Sequence, residues 1–140
     1  MLLEKGANPF AKDKRGKNPL DLAMERNSVT MAAFLLEKNP SYKLRSLDVH
    51  LVNAVKKGSI DMTGFLLKKG ASPDAKTAEE DPILVVASRI GNADLVKMLL
   101  ASGADPYARG AEGVTAYVVA DGEYKDTIRK MLRASYKKKE

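Results

Sequence analysis

The chain has 140 residues, 44% hydrophobic and 30% charged, which describes a folded globular chain rather than a disordered one. It has no cysteine and a single histidine, His50, which excludes disulfides, thiol catalysis, thiolate metal sites and multi-histidine metal sites. No apolar run reaches the ~18 residues of a membrane span, and the formal net charge of +6 is of the kind that attracts acidic proteins or nucleic acid.

The first nine residues read MLLEKGANP. Gly6 supplies a left-handed helix stop and Pro9 prevents continuation. Met1-Leu2-Leu3 therefore stands where the second helix of a unit should be ending, so residues 1–9 are expected to be a remnant cut from a longer array. The alternative is a stack that begins uncapped at Met1, which would expose the apolar face of the next unit.

A first full unit is expected over about 10–42. Phe10 to Lys17 crosses as a β-like turn with Gly16 at its bend. Asn18 caps a helix whose first turn accepts Pro19, because the missing N–H is not needed there. Leu20, Leu22, Ala23 and Met24 supply its buried side, and Val29 to Leu36 form the second, outer helix.

The second unit, about 43–73, is irregular. Asn39-Pro40-Ser41-Tyr42-Lys43 replaces the Gly-Ala-Asn-Pro ending, so the link from Asn39 to Leu47 is expected to be the weakest joint. Ser46 or Asp48 is expected to cap its first helix, with His50 at a helix start on the turn side. Gly58 separates this helix from a second one carrying Ile60, Met62, Phe65, Leu66 and Leu67.

In the third unit, about 74–106, Ala78-Glu79-Glu80-Asp81 makes an acidic turn. Asp81 is expected to cap and Pro82 to open a helix through Ile83-Leu84-Val85-Val86-Ala87. Alone, that run could pass for a buried strand, but it aligns with Leu20 to Met24. Gly91 then leads into an outer helix ending in Gly103-Ala104-Asp105-Pro106. The fourth unit, about 107–135, opens on the turn at Gly113 and Thr115. Asp121-Gly122 should end its inner helix early, and Ile128, Met131 and Leu132 anchor the last helix. Arg129, Lys130 and Arg133 make its outer face polar, as a terminal unit requires. Residues 136–140 read as a basic tail.

Leu3, Leu36, Leu67 and Leu100 stand 33, 31 and 33 residues apart. A period near 33 marks a solenoid. With its Gly-Ala-Asp-Pro endings and the series Asp13, Gly16, Asn18-Pro19-Leu20, Leu22-Ala23, the chain resembles the ankyrin repeat family. Asn18 and Asp21 stand where that family has threonine and histidine, and Ala116 stands where it has proline. The resemblance implies an all-α repeat solenoid, stacked ankyrin-type helix pairs joined by β-hairpin-like turns. It also implies binding of a protein partner in a concave groove made by turn tips and inner helices.

The candidate contacts are Lys14, Arg15, Glu25, Arg26, Lys56, Lys57, Glu79, Ser88, Arg89 and Glu112, with Ala78 and Ala111 also at tips. Arg89 is the expected anchor, its stem able to lie along the apolar run before it. The partner is expected to be another protein, with an acidic patch as its candidate feature, and the chain to act as a monomeric, intracellular, cytoplasmic module. A regulatory or structural ankyrin domain of a larger enzyme is the alternative. A basic nucleic-acid-associated module is disfavoured, because no aromatic-basic alternation offers stacking for bases. Asp74, Asp81 and Asp105 read as turn and cap residues, and no Gly-rich phosphate loop is present, so no enzyme activity, cofactor or metal is expected.

Overall fold

The computed structural model describes residues 12–38 and 44–139. The expected remnant at 1–9 lies outside them, as do residues 39–43 of the expected weak joint. Among the described residues eight helices follow in order: α1 (Pro19–Glu25), α2 (Val29–Lys38), α3 (Leu44–Lys57), α4 (Ile60–Lys68), α5 (Ile83–Arg89), α6 (Ala93–Ala101), α7 (Ala116–Val119) and α8 (Lys125–Lys139). They form antiparallel-neighbour pairs α1–α2, α3–α4, α5–α6 and α7–α8. The pairs stack, with α3 on α5 and α5 on α7 in one layer, and α2, α4, α6 and α8 in sequence in the other.

Local chemistry explains most helix starts. Asn18 accepts from the Asp21 N–H at 2.8 Å, and Asp21 returns a bond from the Asn18 N–H at 3.0 Å, a reciprocal capping box. Ser59 caps α4 through the Met62 N–H at 3.3 Å, and Asn92 caps α6 through the Leu95 N–H at 3.1 Å. Asn27 takes φ 55 in the bend between α1 and α2, where the next two pairs use Gly58 and Gly91. Asparagine is among the few side chains that tolerate this left-handed conformation.

The core is one continuous apolar seam. Leu20 of α1, Leu35 of α2, Leu51 and Val55 of α3, Met62 and Leu66 of α4 are buried within it. Ile83 and Leu84 of α5, Leu95 and Leu99 of α6, and Ile128 and Leu132 of α8 complete it. Each such side chain contributes roughly 1.5–3 kcal/mol by leaving water.

Four expectations need correction. First, the turns between pairs are not β-hairpins: the described residues contain no strand. Two isolated bridges, Lys76 with Pro82 and Arg109 with Thr115, are all the pairing there is. The first closes on Thr77 N–H to Asp81 O and Ile83 N–H to Ala75 O, both at 2.9 Å, and the second includes Gly110 N–H to Val114 O at 2.8 Å. Pro82 has no N–H to extend a ladder, and the residue after each bridge is already helical, so no strand can propagate.

Second, α3 starts at Leu44, so Ser46 and Asp48 lie inside it and His50 is buried mid-helix. The spacing of Leu44, Leu47, Leu51 and Val55 sets that helical phase, with no proline or glycine to interrupt it. Third, Asp81 does not cap α5. Pro82 holds the cap position with no side-chain bond, and the Asp81 carboxylate turns to the next unit. Fourth, the chain beyond residue 135 continues as helix through Lys139, with Tyr136 half-buried and stacked on Tyr107 at 4.4 Å between centroids.

Carboxylates stitch the stack. Asp48 accepts from the Ser72 N–H at 2.8 Å, Asp74 from the Asp105 N–H at 2.8 Å, and Asp81 from the Ala111 N–H at 3.0 Å. The Ala111 N–H is the main reason the Asp81 carboxyl sits below its ordinary range, with Arg89 adding to it. An Asp81→Ala chain is expected to lose roughly 1.5 kcal/mol at neutral pH, as for a hydrogen bond to a charged acceptor. Because the folded pKa is depressed, this contribution is present above the unfolded carboxyl pKa and fades as pH falls below it. Urea titrations at neutral and acid pH check this. Equal losses at both would contradict it.

Candidate partner-binding surface

The first inter-pair turn is built by Asp13. Its carboxylate accepts from the Arg15 and Lys17 N–H groups at 2.8 and 3.0 Å, while its own N–H donates to Lys17 O at 2.7 Å. These backbone donors, Lys17 first, hold the Asp13 carboxyl below its usual range. The turn thereby projects Lys14 and Arg15 into solvent. Lys17 reaches back to Glu25 at the end of α1, Nζ to Oε1 at 2.8 Å. That contact raises the Lys17 pKa and lowers that of Glu25, whose carboxyl also feels Arg15 and Lys57.

Between α1 and α3 this turn overhangs a groove of about 850 Å³. It brings together three of the expected contact residues, Arg15, Glu25 and Lys57, with His50, Asn53 and Val49, which were not expected there. Val49 is 62% exposed, an apolar side chain open to the groove mouth. Its outward position follows from the phase of α3, so the Leu44-Leu47-Leu51 spacing was the signal that could have found it. The repeat alignment started the helix too late and hid that phase.

His50 forms the groove floor. It is buried, with Nε2 3.7 Å from Asp21 Oδ1. Burial is the largest influence and lowers its pKa below 6.5; Asp21 opposes this and Lys17 reinforces it. With the folded pKa depressed, the unfolded chain takes the proton first as pH falls. The stability contribution is thus complete above about pH 6.5 and declines as pH drops towards the folded value. Thermal melts of His50→Gln are expected to lose part of the parent's fall in stability between about pH 7 and pH 5. A profile parallel to the parent's would exclude His50 as the cause.

The other expected contacts lie at helix ends and turn tips. Lys56 is exposed in the last turn of α3, and Arg26 is exposed at the end of α1. Glu79 stands at an exposed tip, its turn held by Thr77 Oγ1, which accepts from the Glu79 and Asp81 N–H groups at 3.2 Å each. Its carboxyl is lowered chiefly by its own backbone N–H, then by Thr77 and by the Lys56 ammonium. Glu112, with Ala111, is exposed at the next tip, where Arg109 Nη1 donates to Gly113 O at 2.8 Å.

Two residues differ from expectation. Ser88 is fully buried, and its Oγ has no hydrogen-bond partner among the described residues, so it offers nothing to a partner. Arg89 is half-exposed but already engaged, its Nη1 3.2 Å from Asp81 Oδ2.

The described residues hold no group of three or more histidine, aspartate or glutamate side chains placed to bind a metal ion, and the chain has no cysteine. None of their helices is long and apolar enough to cross a membrane. Stacked helix pairs with exposed turn tips define a small helical repeat module, an architecture consistent with a protein-interaction scaffold. A family model described as Ankyrin repeat matches residues 81–111, from the cap of α5 through α6 to the following turn. That segment is well under half of the chain. No match is found among curated proteins.

Proposed function

We propose that the chain is a protein-recognition module of ankyrin type, with units at about 10–42, 43–73, 74–106 and 107–135, binding its partner through turn tips and inner helices. The Ankyrin repeat match at residues 81–111 supports the type of unit. The groove between α1 and α3 carries the proposal for where the partner sits. There an exposed apolar side chain, Val49, is surrounded by Arg15, Lys17, Glu25 and Lys57, as in an interface with an apolar centre and a charged rim. Lys14, Arg26, Lys56, Glu79, Arg89 and Glu112 extend that rim along the stack. Rim charges of this kind chiefly set encounter rate and register, and the apolar centre sets residence time.

The test is surface plasmon resonance across a salt series, with a partner identified by affinity capture of the full chain. Reversing charge at Lys14, Arg15, Lys56 and Lys57 together is expected to slow association and flatten its salt dependence. The melting temperature should hold, because none of the four side chains is buried. Val49→Asp is expected to speed dissociation. Unchanged rate constants for both variants would overturn the groove as the binding site.

A further inference from the structure

The surplus charge of this molecule has one address. α8 carries seven lysine and arginine residues against Asp126 alone, a surplus of six that equals the formal net charge of the whole chain. Every other part of the sequence taken together is charge-balanced. α8 is also one-sided. Ile128 and Leu132 are buried against the fold, while Lys125, Lys130 and Arg133 are exposed. Lys125, Arg129, Arg133 and Lys137 follow one another at steps of four residues, so their Cα atoms climb one side of the helix about 6 Å apart. Lys125, Arg129, Lys130 and Arg133 have no carboxylate partner among the described residues. Arg129 Nε donates to Tyr117 O at 3.1 Å, Arg133 Nη2 donates to the Tyr117 hydroxyl, and both guanidiniums lie 5.3 Å from that ring.

From this we infer that the outer face of α8 is a second interaction surface, separate from the groove, which takes an extended acidic segment of a partner protein. The charge and the regular rise suit a strand of carboxylates, each met by a cation from successive turns. Tyr117 holds the guanidinium groups of both arginines in place, which reduces the freedom lost on binding.

Two other polyanions fit less well. A single-stranded nucleic acid needs open rings for its bases, but the Tyr117 ring is covered by the two guanidiniums and Tyr107 is stacked on Tyr136. An anionic membrane binds such a helix by embedding its apolar face, but Ile128 and Leu132 are buried within the fold.

The experiment uses the full chain and three probes: a fluorescein-labelled oligoglutamate peptide, a labelled oligothymidylate, and vesicles of mixed phosphatidylserine and phosphatidylcholine. The peptide is expected to bind most tightly by anisotropy, with affinity falling as salt rises. Lys125→Gln with Lys130→Gln, at exposed side chains with no carboxylate partner, should weaken it about tenfold. Arg133→Gln should add to that loss, with circular dichroism reporting whether α8 persists. A groove variant, Arg15→Glu with Lys57→Glu, should bind the peptide with only the modest loss expected from lower net charge. Equal affinity of the lysine variant and parent would overturn the proposal. So would a greater loss in the groove variant than in the lysine variant, or tighter binding of the oligonucleotide or vesicles. Because the groove is probed in a separate variant, failure here leaves the groove reading standing, and the reverse also holds.

Discussion

Replacing Leu99 by alanine is expected to destabilise the chain by about 3 kcal/mol. Leu99 is fully buried in α6, the helix that packs on α5 within its pair and on α4 and α8 of the neighbouring pairs. Its backbone carbonyl also accepts the Ala104 N–H at 3.0 Å, which fixes the end of α6 against the next turn. Truncation would leave a cavity in a seam shared with α4, α5 and α8, and three helices packed on one another cannot all move in to fill it. In a stacked array such a loss counts at both interfaces of the affected pair. Urea unfolding followed by circular dichroism should show a lower midpoint with an unchanged slope. A loss below about 1 kcal/mol would mean that the site collapses freely and that the seam is not close-packed at α6.

The second large effect is expected from Gly91→Ala. Gly91 has φ 76, and a Cβ placed there would stand 2.5 Å from the Asp121 carbonyl oxygen. The obstacle is backbone, and it is itself tied, since the Asp121 N–H donates to Ser88 O at 3.2 Å. An alanine must therefore push the approach of α7 and α8 away from α5. Gly103→Ala is the matching control: its φ is 97, but a Cβ there meets nothing within 4 Å. That variant should show only the left-handed penalty, about 1 kcal/mol, whereas Gly91→Ala should reach the order of 3 kcal/mol. Equal losses in the two would remove the close approach as a cause.

Much of this arrangement is legible in the residues. Asn18 followed by Pro19, and the apolar Ile83 to Ala87 run, place α1 and α5 correctly because capping and all-round burial are local signals. The burial of Ser88 is readable too, since a helix apolar on every side is a buried helix, and Ser88 follows directly on the Ile83 to Ala87 run. The start of α3 was misread. The repeat alignment outranked the plainer spacing of Leu44, Leu47 and Leu51. The role of Asp81 was beyond local reading. Its main partner, the Ala111 N–H, is thirty residues away, and nothing near Asp81 distinguishes a helix cap from a bridge to the following unit. Charge and turn position point to Arg15, Glu25 and Lys57, which line one groove, whereas the outward position of Val49 follows only from the phase of α3.

The bridging aspartates give the stack a polarity. In each of the three bridges the carboxylate comes earlier in the chain and the N–H it accepts comes later. Asp105, which donates its N–H to Asp74, uses its own carboxylate within its turn, accepting from the Tyr107 N–H two residues on at 2.9 Å. By the proposed unit bounds only the Asp81 to Ala111 bond crosses between units, while Asp48 to Ser72 and Asp74 to Asp105 each tie the start of a unit to its own end. Such a clasp needs no neighbour, so a copied unit would bring it along, whereas the joint made by Asp81 forms only when a further turn follows.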